Sequence, residues 1–119
     1  MLTSLFKAIS AALTPPYKSL SAQDAKGPVD SGSVFLIDVR TKEEFSHGKI
    51  KGARNIPLGD LARRISELDK QKNAPILINC HSGARSASAC RYLVSVGFTD
   101  VTNLNGGISA WLGAGFKTA

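Results

Sequence analysis

Short apolar runs at Val34 to Ile37 and Ile76 to Ile78 do not alternate with polar residues. That pattern predicts strands covered on both faces. Tyr17 to Leu20 reads as a short edge strand. Ala53 to Ile56 reads as a short extended segment closed by Pro57, and Asp100 to Leu104 as a last strand. Helical patterns lie between them. Ser21 is a plausible N-cap for a helix over Ala22 to Lys26, which Gly27 and Pro28 should stop. Thr41 can cap a turn over Lys42 to Phe45, with Glu44 at the capping-box position. Leu58, Leu61, Ile65 and Leu68 are spaced three, four and three, which predicts an amphipathic helix. A further helix runs from Ser86 to about Val96 and stops at Gly97, and a last one spans Ile108 to Leu112.

Strands alternating with helices imply an α/β fold: one mostly parallel sheet with helices on both faces. No repeat, low-complexity tract or linker divides residues 17–119, which read as one domain. Residues 1–16 form an arm before it. Leu2, Leu5, Phe6, Ile9 and Leu13 share one helical face, and Pro15 and Pro16 end the pattern. The arm is too short and polar to span a membrane. It has one Lys, a short apolar run and no convincing small-residue cleavage site, so an export signal is the weaker reading. The expectation is a helix docked on its own domain or on a neighbouring copy, in a cytoplasmic monomer or weak dimer.

Composition changes this picture little. Hydrophobic residues are 43% and charged residues 20% of 119, ordinary for a globular protein. The net charge of +6 favours small anionic ligands. Nucleic acid is not expected as a partner, because the basic residues are scattered and no recognition motif is present. Two cysteines make no disulfide framework. His81 beside Cys80 and an isolated His47 give no zinc-ligand spacing, so no metal is expected.

The candidate chemistry sits after the strand at Ile76 to Ile78. Cys80 follows Asn79 at the strand end, and His81, Ser82, Gly83, Ala84, Arg85 and Ser86 lead into a helix. In open α/β sheets, ligands bind beyond the carboxyl ends of the strands. A loop curling into a helix N-terminus can aim several N–H groups at one centre, and Arg85 adds positive charge. Both favour a thiolate at Cys80, and the thiolate is the nucleophile. An inert buried Cys is the competing reading, which the polar, glycine-containing surroundings oppose. Cys90, spaced with Ala89, Leu93 and Val94, reads as core.

The segment from Cys80 to Ser86 resembles the active loop of the rhodanese family of sulfurtransferases. Three other pieces match in order: Leu36 to Arg40, Gly52 to Pro57, and Asn103 to Trp111. Together they span about residues 17–116. Lys49 stands where the family usually has His, and His47 lies two places earlier. The resemblance implies sulfane-sulfur transfer through a Cys80 persulfide, with His81, Ser82, Gly83, Ala84, Arg85 and Ser86 binding the substrate. It implies supporting roles for Asp38, hydrogen-bonded to the active loop, and for Arg40, in an ion pair; a strand-end pair without a link to chemistry is the alternative. It implies a thiosulfate-like anionic donor, a thiol acceptor such as a small redox protein (or cyanide in an assay), and no cofactor. Gly106 and Gly107 are expected to allow a close approach or a positive φ, Trp111 to be core, and His81 to be incidental rather than a proton carrier. A persulfide carrier without turnover, and a phosphatase or arsenate reductase on the same fold, remain alternatives. The related phosphatases have a longer loop than the four residues between Cys80 and Arg85.

Overall fold

A computed structural model describes residues 15–119. Five strands form one sheet: β1 (Lys18–Leu20), β2 (Phe35–Asp38), β3 (Arg54–Asn55), β4 (Ile76–Asn79) and β5 (Val101–Leu104). Their order is β1-β5-β4-β2-β3 and every pairing is parallel. The helices are α1 (Ala22–Ser31), α2 (Lys42–Ser46), α3 (Ala84–Ser95) and α4 (Gly107–Gly113). Residues 1–14 lie outside the described residues, and with them nearly all of the expected arm.

The side-chain period of two sorts the sheet into two cores. Ile37, Val39, Ile76, Ile78, Cys80 and Val101 face one core, with Ala89, Cys90 and Leu93 of α3. Leu36, Leu77 and Leu104 face the other, with Ala22 and Ala25 of α1 and Ile108 and Trp111 of α4. The central strands β2 and β4 are thus apolar on both faces. Trp111 is buried, donates Nε1–H to the Lys117 carbonyl at 3.0 Å and meets Phe116 edge-on.

Two elements depart from the sequence pattern. The helix expected to stop at Gly27 and Pro28 continues to Ser31 and ends at Gly32, whose φ is 71°. Proline clashes with the Cβ of the residue before it, and Gly27 has none. The amphipathic helix expected over 58–68 is instead two 3-10 segments, Leu58–Asp60 and Ile65–Gln71. A 3-10 turn also brings residues three apart onto one face, so Leu61 and Leu68 are buried with Leu58 and Ile65 partly buried beside them.

Helix α3 ends as expected. Gly97, at φ 100°, donates to the Val94 carbonyl, and Phe98 N–H reaches Leu93. These are the paired bonds of a Schellman stop. Leu93 itself is fully buried between α3 and the sheet. Leu93→Ala should therefore lower unfolding stability by about 2–5 kcal/mol, read from denaturant titration.

Candidate active site

Cys80 directly follows β4, at the point where the chain leaves the sheet for α3. It is 1% exposed. Gly83, at φ 108°, turns the loop back so that its own N–H donates to Cys80 Sγ at 3.0 Å. The Ser86 hydroxyl lies 3.3 Å from the same sulfur. Burial pushes the Cys80 thiol up. The Ser86 hydroxyl and the N–H groups of Ser86, Gly83 and Ser82 outweigh it, so the thiol lies below its ordinary value. Cys90 meets no such donors. Burial drives it up to about 12, so it stays a thiol at neutral pH.

The loop rests on the start of α4. Ile108 N–H donates to the Cys80 carbonyl at 2.9 Å and Ser109 N–H to the His81 carbonyl at 3.0 Å. Gly107 makes this approach possible. A Cβ there would lie 2.4 Å from the Cys80 carbonyl oxygen and 2.7 Å from the His81 carbonyl, and its φ is +59°. From β5, Asn103 Nδ2 reaches the Gly83 carbonyl at 3.3 Å.

Arg85 does not turn to the sulfur. Its guanidinium grips Glu44 of α2 with two bonds of 2.7 and 2.8 Å. Glu44 is committed twice, since it also closes the capping box with Thr41. The Arg85 hydrogen bonds first, and the Thr41 bonds after them, hold the Glu44 carboxyl down to about 2. Arg85 gives the Cys80 sulfur no hydrogen bond and acts on it only through its nearby charge, so hydroxyl and backbone donors make the direct contacts. In the sequence, Glu44 reads only as a cap. Its partner lies 41 positions away, so no local signal pointed to the pair.

Asp38 and Arg40 form a buried pair with bonds of 2.7 to 3.0 Å. Asp38 does not bond to the active loop as expected. It accepts from Arg40 and from Asn79 Nδ2 at 3.4 Å. Asp38 and Asn79 are paired neighbours on β2 and β4. By strand alternation they face away from Cys80, which follows one residue later. Arg40 also donates to the Gly48 carbonyl at 2.7 Å, tying β2 to the turn after α2.

His81, Ser82 and Ala84 are exposed, Gly83 and Arg85 half-buried, and Ser86 buried. A cavity of about 530 Å³ opens beside the loop, lined among others by His81, His47, Glu43, Glu44, Ser109 and Leu112. Among the described residues no cluster of His, Cys, Asp and Glu is arranged to hold a metal ion. No helix there is long and apolar enough to cross a membrane.

Two tests follow from this geometry. Gly107→Ala should displace the loop and raise the pH at which Cys80 alkylates, because a methyl group cannot fit against the Cys80 carbonyl; alkylation rate against pH measures it. Glu44 has a folded value near 2 against an ordinary 4.5. Its contribution to stability is therefore present above 4.5 and fades as pH falls toward 2. Glu44→Gln should flatten that part of the acid limb in denaturant titrations, modestly, because the pair is partly exposed.

The rhodanese-like domain family matches residues 21–114. A sulfurtransferase of Allochromatium vinosum is 43% identical over 82 residues, covering 69% of this chain and 75% of that protein. The thiosulfate sulfurtransferase GlpE of Shewanella oneidensis is 36% identical over 95 residues, covering 80% and 92%. The crystal structure of a rhodanese-related protein from Thermoplasma volcanium superposes with a TM-score of 0.78 at 27% identity, covering 87% of this chain and 98% of that one. With a five-stranded parallel sheet and a cysteine cradled at its rim, this chain belongs to the rhodanese-like family and is a sulfurtransferase.

Proposed function

We propose that the chain moves sulfane sulfur from a thiosulfate-like anion to a thiol acceptor through a persulfide on Cys80. The single observation that carries this reading is the set of donors on Cys80 Sγ: Gly83 N–H at 3.0 Å and the Ser86 hydroxyl at 3.3 Å, in a buried site. A sulfur held this way is a nucleophile before any substrate arrives.

The Cys80 thiolate attacks the outer sulfur of the donor. A new S–S bond forms, the donor's own S–S bond breaks, and sulfite leaves with the bonding pair. An acceptor thiolate then attacks the terminal sulfur of the persulfide. It takes that sulfur and returns Cys80 as thiolate. Each half-reaction begins and ends with an anionic sulfur near the loop, so the same N–H donors serve both. Arg85, fixed by Glu44 near the loop, adds positive charge for an anionic donor. The GlpE relative's name supports thiosulfate as donor.

Incubation with thiosulfate, followed by intact mass, should show one added sulfur on the wild type and on Cys90→Ser, and none on Cys80→Ser. Steady turnover with thiosulfate and a thiol should be lost in Cys80→Ser and mostly kept in Cys90→Ser. Sulfur transfer by Cys80→Ser would overturn the mechanism. Loading without turnover would favour a carrier. Faster hydrolysis of an aryl phosphate than sulfur transfer would favour the phosphatase alternative.

A further inference from the structure

The Gly83 carbonyl accepts three hydrogen bonds: from Ala87 N–H at 3.1 Å, from the Ser86 hydroxyl at 3.1 Å and from Asn103 Nδ2 at 3.3 Å. The Ser86 oxygen is also 3.3 Å from Cys80 Sγ. A serine hydroxyl has one proton to give. With Cys80 as a thiol, S–H donates to Ser86 and Ser86 donates to Gly83. Once Cys80 has lost its proton to solvent, Ser86 must turn its own proton to the sulfur. The Gly83 carbonyl then keeps only Ala87 and Asn103.

Asn103 is placed for that moment. It lies on β5, on the core face shared with Val101 and Cys80. It is 6% exposed, and its Oδ1 has no hydrogen-bond partner among the described residues. A buried amide with one end unmatched is a poor choice for a strand core. Its side chain makes one hydrogen bond there, to Gly83.

We propose that Asn103 is a positioning residue: its amide holds the Gly83 carbonyl, which frees the Ser86 proton to turn to the Cys80 sulfur. The inference rests on Cys80 acting as the reacting thiolate. It goes further by giving that state a donor relay, Asn103 to Gly83 and Ser86 to sulfur. The ionisable groups around Cys80 are Arg85 and Cys90 on α3, the Asp38 and Arg40 pair at the end of β2, His81 in the loop, and Glu44 of α2 behind Arg85. β5 and α4 carry none. A change at Asn103 alters none of these charges.

The test is the pH dependence of Cys80 alkylation by iodoacetamide in a Cys90→Ser chain, which needs no sulfur donor. Asn103→Leu keeps the bulk and removes the donor. It should raise the alkylation midpoint by about one pH unit, the scale of a hydrogen bond to a charged group. Ser86→Ala should raise it as well. Adding Asn103→Leu to Ser86→Ala should produce little further shift, because the hydroxyl that Asn103 frees is gone. Equal shifts in both backgrounds would mean that Asn103 only braces the loop, and no shift in either would mean that it does nothing for the thiolate; both overturn the proposal. Should Asn103→Leu fail to fold, Asn103→Ala takes its place in the same cycle. A wild-type midpoint at or above that of an ordinary thiol would instead overturn the reading of Cys80 itself. A low midpoint insensitive to Asn103 would overturn this inference alone.

Discussion

An anion kept out of water needs donors fixed around it, and this fold places a sulfur 1% exposed under a loop whose hydrogen bonds point inward. Desolvation alone would make Cys80 as inert as Cys90. The two thiols share one apolar core yet are driven in opposite directions. What separates them is a few donor groups, all from the loop between Cys80 and Ser86. Those groups hold their geometry because the loop is seated largely against backbone. The main-chain bonds from Ile108 and Ser109, and the missing Cβ at Gly107, make that seat.

Beyond the field of Arg85 at the sulfur, charge serves to tie elements together. The two Arg–carboxylate pairs at the rim tie elements together. Arg85 with Glu44 joins α3 to α2, and Arg40 with Asp38 joins the end of β2 to the turn at Gly48. The Asp38 pair is buried, so removing one partner would strand a charge, at a cost of about 3–5 kcal/mol. The Glu44 pair is half in solvent and contributes more to orientation than to stability.

Much of this was legible in the residues. Continuous apolar runs marked β2 and β4, because a strand covered on both faces has no polar positions to confuse it with a helix turn. The abrupt change after Ile78 placed Cys80 at the sheet's carboxyl rim. Other features depended on tertiary context. The spacing of Leu58, Leu61, Ile65 and Leu68 suits an α-helix and a pair of 3-10 turns alike. Gly27 let Pro28 sit inside α1, where proline alone would signal a stop. Arg85 had to choose between sulfur and a carboxylate that only the fold brings near it. Asp38 points the wrong way for the loop because strand alternation sets it opposite to Cys80. Asn103 looked like one polar letter in a strand, and its bond to Gly83 crosses 20 positions.

The seat at Gly107 also fixes an order of events. Cys80 leaves the ribosome before residues 106–109, and the β4 strand can pair with β2 before β5 and α4 exist. Until α4 docks, the loop lacks its main-chain bonds from Ile108 and Ser109, and the donors around the sulfur are less firmly fixed. The seat of the nucleophile is completed only by the last helix of the described fold to be made. A nascent or partly unfolded chain therefore carries a comparatively sluggish thiol, and reactivity toward sulfur arrives together with the finished structure.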